Sequence, residues 1–146
     1  MFASLSFWGL IFAITVTALL LIFIQRIKVQ KQLKITFGCL LLCLSICCGG
    51  LVLQLVLSSS LGIPAIYFDY FVYVGTCFLP LFFLLTSIIF SRTKITFKVY
   101  HYLLFIIPIT SLIVLWTNDY HHLFYVKYST NFSETIYGAY FYYIHT

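Results

Sequence analysis

The stretch ITFGCLLLCLSICCGGLVLQLVL, residues 35–57, decides the fold of this chain. It contains no charged side chain, and a lysine precedes it directly. A helix that crosses the hydrocarbon core of a membrane, roughly 30 Å thick, needs about 20 mostly apolar residues. A membrane β-strand needs only about 10 residues, and it alternates apolar with polar side chains, which this stretch does not do. The sequence therefore predicts a transmembrane α-helix over residues 35–57.

Three further stretches have the same character, and they predict transmembrane helices over residues 5–24, 70–90 and 99–117. Pro80 and Pro108 lie within the last two, and we expect them to kink these helices, because proline lacks the backbone N–H of a helical hydrogen bond. Of the 146 residues, 63% are hydrophobic and 8% are charged, whereas soluble domains are about 25% charged. The sequence therefore predicts an all-α integral membrane protein with four transmembrane helices. It excludes soluble enzymes and proteins that bind nucleic acid, despite the net charge of +5.

The basic residues predict the orientation of these helices. Seven of the eight lysine and arginine residues lie in two short predicted loops, four in residues 25–34 and three in residues 91–98. Cytoplasmic loops of membrane proteins collect lysine and arginine. We therefore expect both loops inside the cell and both termini outside. Lys127 and the three acidic residues then fall on the outer side.

The outer aromatic segment, residues 118–146, is rich in tyrosine and phenylalanine. Tyrosine favours the boundary between membrane and water, where the ring is buried while the hydroxyl stays hydrated. Within this segment, residues 137–144 are similar to the aromatic entrance of a further membrane span. This pattern suggests either an interfacial tail or the front part of a longer membrane domain, and the second interpretation is favoured.

Two motifs support the second interpretation. The string WTNDYHHLFY, residues 116–125, follows an apolar run that contains a proline, and Tyr137-Gly138 with an aromatic cluster comes after it. With these motifs the chain resembles the N-terminal seven-helix region of bacterial sensor histidine kinases. In that family the Thr-Asn-x-x-His-His-Leu-Phe core follows the fourth helix and the Tyr-Gly pair opens the fifth. Ala139 stands where the family carries a proline.

The resemblance implies that residues 1–146 form a partial sensory module, truncated after about four of seven helices, in a bacterial plasma membrane. It implies a signal-input region whose kinase output domain is separate or missing. The implied partners are the lipid bilayer, a second copy of the chain in a homodimer, that output domain, and an unidentified extracellular or membrane-borne signal. The alternative is an autonomous small four-helix membrane protein, either an accessory subunit or a transporter component.

Catalysis and cofactors are not expected. Phosphoryl transfer needs a cradle for the ATP phosphates and a ligand for Mg²⁺, and the predicted cytoplasmic loops are short and contain no acidic residue. A transporter is disfavoured as well, because the four predicted spans contain no carboxylate, lysine or arginine that could mark a substrate or proton path.

The candidates for ligand sensing are polar or aromatic residues of the outer segment: Asn118, Asp119, His121, His122 and Tyr137. A structural interpretation is favoured, in which Asn118 caps a short outer helix and His121, with the aromatic residues after it, lays that helix along the lipid headgroups. The alternatives are recognition of a ligand or of pH through the imidazoles, and a metal site built from imidazole and carboxylate. We predict no metal.

Four of the five cysteines lie in residues 35–57, three of them at four-residue spacing on one stripe of the predicted helix. With antiparallel second and third helices, Cys47 and Cys77 come to similar depth in the membrane. Small side chains allow helices to approach closely, and this packing role is favoured. The alternative is redox or soft-metal chemistry, although no base lies nearby to activate a thiol.

Overall fold

The computed structural model describes residues 2–61, 64–92, 102–129 and 134–145. Helices dominate them, as predicted. The elements in chain order are α1 (Phe2–Arg26), α2 (Lys31–Leu61), α3 (Ile66–Arg92), α4 (Ile106–Trp116), α5 (Asn118–His121), β1 (Tyr125–Lys127), β2 (Ile136–Tyr137) and α6 (Ala139–His145). The small pair of strands was not predicted from the sequence.

Three helices are long and apolar enough to cross a membrane, over Ser6–Arg26, Lys31–Ser58 and Ile66–Ser91. They correspond to the first three predicted spans, and the chain is a multi-pass membrane protein. Helix α4 is apolar but has only 11 residues, which is about 17 Å at 1.5 Å per residue. The first part of the fourth predicted span, up to residue 101, lies outside the described residues. A fourth crossing therefore stays a prediction.

The two prolines have different effects on their helices. Pro80 lies inside α3 without ending it, as expected. Pro108, in contrast, is the third residue of α4, and a turn at residues 104–105 separates α4 from the helical residues 102–103. The interruption thus begins at Leu104, whose carbonyl Pro108 leaves without a helical donor. A kink within a longer helix stays a prediction, because residues 93–101 lie outside the described part of the chain. The first four N–H groups of a helix have no partner within it, so proline is tolerated there.

Polar contacts show that α1 and α2 run antiparallel. Near the middle of α1, the Ser45 hydroxyl donates a hydrogen bond of 3.2 Å to the Thr17 hydroxyl oxygen, and Thr17 is buried. Toward the end of α1, the Lys34 ammonium group donates a bond of 2.9 Å to the carbonyl oxygen of Gln25. Hydrogen bonds between side chains of neighbouring helices stabilise packing in a membrane, where apolar surfaces gain little from one another.

Helices α2 and α3 are also antiparallel, and they approach closely at a glycine. A Cβ atom at Gly75 would overlap the backbone carbonyl oxygen of Cys43 and the side-chain sulfur of Cys47 in α2. The sulfur of Cys47 lies 3.3 Å from the Thr76 hydroxyl oxygen and 3.6 Å from the carbonyl oxygen of Val72. All five cysteines are free thiols. These contacts support the packing role of the cysteines, because the thiols fill the space between two adjacent helices.

After α4 the chain folds into a small C-terminal lobe, which we define as α5, β1, β2 and α6. Strands β1 and β2 pair antiparallel, with Tyr125 opposite Tyr137. The Tyr140 hydroxyl lies 3.1 Å from the hydroxyl oxygen of Ser111 in α4, and Ile144 shares a small cavity with Ile107. Residue numbers rise along α6 as they fall along α4, so the two helices run antiparallel. Residues 137–144 thus run back beside α4, as the entrance of a further span would.

The lobe packs at the end of the bundle where α2 and α4 end and α3 begins. Phe124 has no exposed surface, and its ring centroid lies 5.1 Å from that of Tyr73 in α3 and 5.5 Å from that of Phe141 in α6, both edge to face. Leu115 of α4 is equally buried in the same cluster. This aromatic core fixes the lobe on α3 and α4. The basic residues around the end of α1 lie at the opposite end of the bundle.

Candidate ligand-binding site

A cavity of about 350 Å³ lies between α2, α3 and the C-terminal lobe. Pockets for small molecules have volumes of roughly 300–1,000 Å³, so this one suits a small ligand. Its wall combines four tyrosines with one carboxylate and one amide: Tyr73, Tyr125, Tyr128, Tyr137, Asp69 and Gln54. Three elements that are distant in sequence therefore meet around one polar space at an end of the helix bundle.

Contacts between the rings hold the tyrosines of this wall in place. The Tyr125 hydroxyl donates a hydrogen bond of 3.1 Å to the Tyr73 hydroxyl oxygen. The Tyr125 ring centroid lies 5.5 Å from that of Tyr128, edge to face, and 5.5 Å from that of Tyr137. Tyr137 stacks on Phe141 with centroids 3.9 Å apart. Aromatic pairs at such distances stabilise the fold beyond the area that they bury, so the wall is preorganised.

Asp69 is the electrostatic centre of the cavity, and its carboxylate interacts with the Tyr128 hydroxyl. Burial raises the pKa of Tyr128 and of Tyr125 above the ordinary tyrosine value, and the negative charge of Asp69 raises both further. The pKa of Tyr137 is raised by the same two causes. These hydroxyls therefore remain protonated at neutral pH and can donate hydrogen bonds. Within the described ranges, no lysine or arginine side chain pairs with Asp69.

Asn118 acts as a clamp on the backbone that carries Tyr125. Its side-chain oxygen accepts hydrogen bonds from the N–H groups of Phe124, at 2.8 Å, and of Tyr125, at 2.9 Å. Its amide nitrogen donates a bond of 2.9 Å to the carbonyl oxygen of Tyr125. The expected helix cap is wrong, because the N-cap of α5 is Thr117 and Asn118 is the first helical residue. Asn118 instead orients β1, so its effect on the cavity is indirect.

His121 belongs to a local network beside the lobe. Its Nδ1 atom accepts a hydrogen bond of 3.0 Å from the N–H of Leu123. The proton of a neutral ring then resides on Nε2, which lies 2.9 Å from the Thr117 hydroxyl oxygen. The Thr117 hydroxyl in turn donates to the carbonyl oxygen of Ile113 at 2.7 Å. The expectation that Phe124 and Tyr125 anchor α5 to the headgroups is wrong, since both side chains are buried in the lobe.

The remaining candidates divide between the surface and the cavity. Asp119 and His122 are exposed, and neither lines the cavity. His122 ends α5 in the left-handed conformation, with φ of 51°. Tyr137 lines the cavity directly. Among the residues that the structure describes, no group of three or more histidine, cysteine or acidic side chains is arranged to hold a metal ion.

Most of the cavity wall was missed by the reasoning from sequence. Gln54, Asp69, Tyr73, Tyr125 and Tyr128 were not among the candidates. Part of the signal was present, because Asp69 and Tyr73 are spaced by four residues and so share one face of a helix. An acidic side chain in the first turn of an apolar helix, on the same helix face as a tyrosine, indicates a polar site. No local sequence pattern, however, predicts that the C-terminal lobe packs against that face of α3.

Comparison with known proteins assigns the fold to a family. A family described as the N-terminal 7TM region of histidine kinase matches residues 9–146 of the chain. No curated protein and no solved structure matches it. The match covers α1 to α6 almost completely, including every residue that lines the cavity.

Proposed function

The chain belongs to the family of N-terminal seven-transmembrane regions of histidine kinases, and we propose that its cavity receives the signal that such a region passes to a kinase. The family is an input region of histidine kinases and is not itself catalytic. The family match favours this role over that of an autonomous accessory subunit or transporter component. The observation that carries the proposal is a preorganised cavity whose wall joins two long helices to the C-terminal lobe.

A ligand can change the output only if it binds two packings of the bundle with different affinity. On this proposal the cavity supplies that difference, because a molecule inside it would touch Gln54 of α2, Asp69 of α3 and Tyr137 of the lobe together. A shift of the lobe relative to α3 would change the distances among these three groups. Occupancy of the cavity therefore selects one position of the lobe.

We further propose that the lobe faces the outside of a bacterial plasma membrane and that the kinase lies inside. The basic residues around the turn between α1 and α2 lie at the end of the bundle away from the lobe, and basic residues favour the cytoplasm. On this proposal a histidine kinase output domain, and a second copy of the chain in a homodimer, are the partners. The exposed apolar side chains of α1, such as Phe12 and Phe23, suit either lipid or that second copy.

Cysteine labelling in intact cells tests the orientation. Lys31 and Lys127 are both exposed, and we expect Lys127→Cys to react with a maleimide that does not cross membranes. Lys31→Cys should react only after the cells are permeabilised. The unaltered chain is the control, because its five cysteines lie within α2 and α3. Labelling of Lys31→Cys alone from outside would contradict the orientation.

A phosphorylation assay tests the input role. The chain replaces the corresponding segment of a full-length histidine kinase of this family, so that the remaining spans carry the kinase domain to the side opposite the lobe, and incorporation of phosphate is measured in proteoliposomes. Tyr125→Phe removes the hydroxyl that bonds Tyr73 and keeps the ring packing, so we expect an altered basal rate. Tyr120→Phe is the matched control, because Tyr120 is 90% exposed. Equal rates for all three proteins would contradict an input role for the cavity.

A further inference from the structure

The chemistry of the cavity wall selects a ligand class. Tyrosine rings are electron-rich on their faces, and a cation within about 6 Å of a ring centroid is attracted to that face. Aromatic cages bind quaternary ammonium groups in this way. Four tyrosines line the cavity, and a single carboxylate, Asp69, lies among them. Aromatic faces around one negative charge suit an organic cation.

The rings are arranged as walls of a cage and do not form one flat surface. The ring planes of Tyr73 and Tyr125 meet at 76°, and those of Tyr125 and Tyr128 also meet at 76°. Phe141 stacks on Tyr137 and holds that ring in position. All four tyrosines line the same cavity, and their different ring orientations place aromatic edges and faces on more than one side of it.

The charge distribution excludes anions from the cavity and favours cations. No basic residue is among those that line it. Within the described ranges the Asp69 carboxylate has a tyrosine hydroxyl as its partner and no ammonium or guanidinium group. Asp69 is half-buried; partial removal of a carboxylate from water is costly unless it is paired, and a bound cation would supply a positive charge. A metal ion is disfavoured, because one carboxylate with tyrosines does not provide the donor set that divalent cations prefer.

We propose that this cavity binds an organic ammonium cation of about the size of choline, with Asp69 as the counter-charge and the tyrosine rings as the walls of the cage. The inference rests on the proposed function, because it names the ligand of the same input site. Such an ammonium group occurs in free cations and in the headgroups of amine-bearing lipids. The cavity lies near one end of the membrane spans, where both sources can reach it.

Calorimetric titration of the full chain in nanodiscs of phosphatidylglycerol tests the proposal. Choline is compared with 3,3-dimethylbutan-1-ol, which has the same shape and no charge, so the comparison needs no altered protein. We expect choline to bind and the neutral alcohol to bind at least about tenfold more weakly, since cation–π and ionic attraction act on the charge. Equal binding of the two compounds, or no binding of choline, would overturn the proposal.

Matched variants locate the site. Asp69→Asn should weaken choline binding about tenfold or more and leave the neutral alcohol unaffected, because it removes the charge and keeps the shape. Asp119→Asn is the control, because Asp119 is an exposed acidic residue outside the cavity. Tyr128→Leu should also weaken binding, whereas Tyr120→Leu should not. Unchanged choline affinity in both Asp69→Asn and Tyr128→Leu would overturn the assignment of this cavity.

Nanodiscs that contain phosphatidylcholine distinguish the two sources. If the natural ligand is a lipid headgroup, these discs should prevent the binding of added choline, and if it is a free cation, the choline affinity should stay the same. Either result supports the ammonium site. The titration does not involve a kinase, so its failure is separable from that of the proposed function. If choline does not bind while Tyr125→Phe still alters phosphorylation, the ligand class is wrong and the input role stands.

Discussion

Replacing Asn118 with alanine tests the clamp that holds the cavity wall. The substitution removes three buried hydrogen bonds, of 2.8 Å to the Phe124 N–H, 2.9 Å to the Tyr125 N–H and 2.9 Å to the Tyr125 carbonyl oxygen. A hydrogen bond contributes about 1 kcal/mol net, so the three together contribute about 3 kcal/mol. We expect Asn118→Ala to destabilise the C-terminal lobe by this amount and to leave the three long helices folded.

Hydrogen exchange at the amides of Phe124 and Tyr125, measured by NMR in nanodiscs, provides the readout. Each 1.4 kcal/mol corresponds to a factor of ten, so a loss of about 3 kcal/mol should accelerate exchange about a hundredfold. Asp119→Ala, at the exposed neighbouring position, should change nothing. Unaltered exchange in Asn118→Ala would refute the clamp.

Three further predictions concern the contact between α2 and α3 at Gly75, the left-handed backbone conformation of His122 and the titration of Tyr125. Gly75→Ala should lower the stability of the helix bundle by about 1–3 kcal/mol, because its Cβ would overlap α2. Gly49→Ala is the control, because nothing lies within 4 Å of a Cβ atom at that position. Thermal unfolding in detergent measures the stability of both variants. His122→Gly should raise the free energy of unfolding of the lobe by up to about 1 kcal/mol, because the left-handed conformation is strained in most residues and not in glycine. A lower free energy of unfolding would contradict this reasoning. Burial raises the pKa of Tyr125 in the folded chain. The stability that this protonated hydroxyl contributes is therefore complete below about pH 10, the ordinary tyrosine pKa. It is lost as the pH rises further, because the unfolded chain deprotonates first. Denaturant titrations at several pH values above that point give the free energy of unfolding at each pH. This free energy should fall less steeply with rising pH for Tyr125→Phe than for the unaltered chain.

The long helices could be predicted from sequence because the requirement that defines them is local. A backbone in lipid must satisfy its hydrogen bonds internally, and an apolar stretch of sufficient length does so only as a helix. The predicted span 35–57 lies inside the observed helix Lys31–Leu61, which extends further at both ends because polar residues at the boundary still continue a helix. For Pro108 the sequence indicated a break in helical hydrogen bonding, but not the residue at which α4 begins.

The cavity could not be predicted in the same way, because it depends on contacts between distant residues. Tyr125 and Tyr73 are 52 positions apart, yet their hydroxyl groups are joined by a hydrogen bond. The Asn118 motif was recognised as important, but its bonds reach forward to Phe124 and Tyr125 and do not cap α5. A cap can be proposed from sequence alone, whereas a clamp on a later strand requires knowledge of the fold of the lobe.

Helix α3 is the element through which an event in the cavity can reach the other end of the bundle. Its first half carries Asp69, and Thr76 also lines the cavity. The carbonyl of Thr76 lacks its usual helical donor, because residue 80 is proline. Helices bend most readily at such a position. A ligand in the proposed site would therefore contact α3 next to the point where it can bend, and a small change of angle there would displace the end of the helix at Arg92. That end lies on the side where we place the kinase, so bending of α3 connects the proposed site to the proposed output.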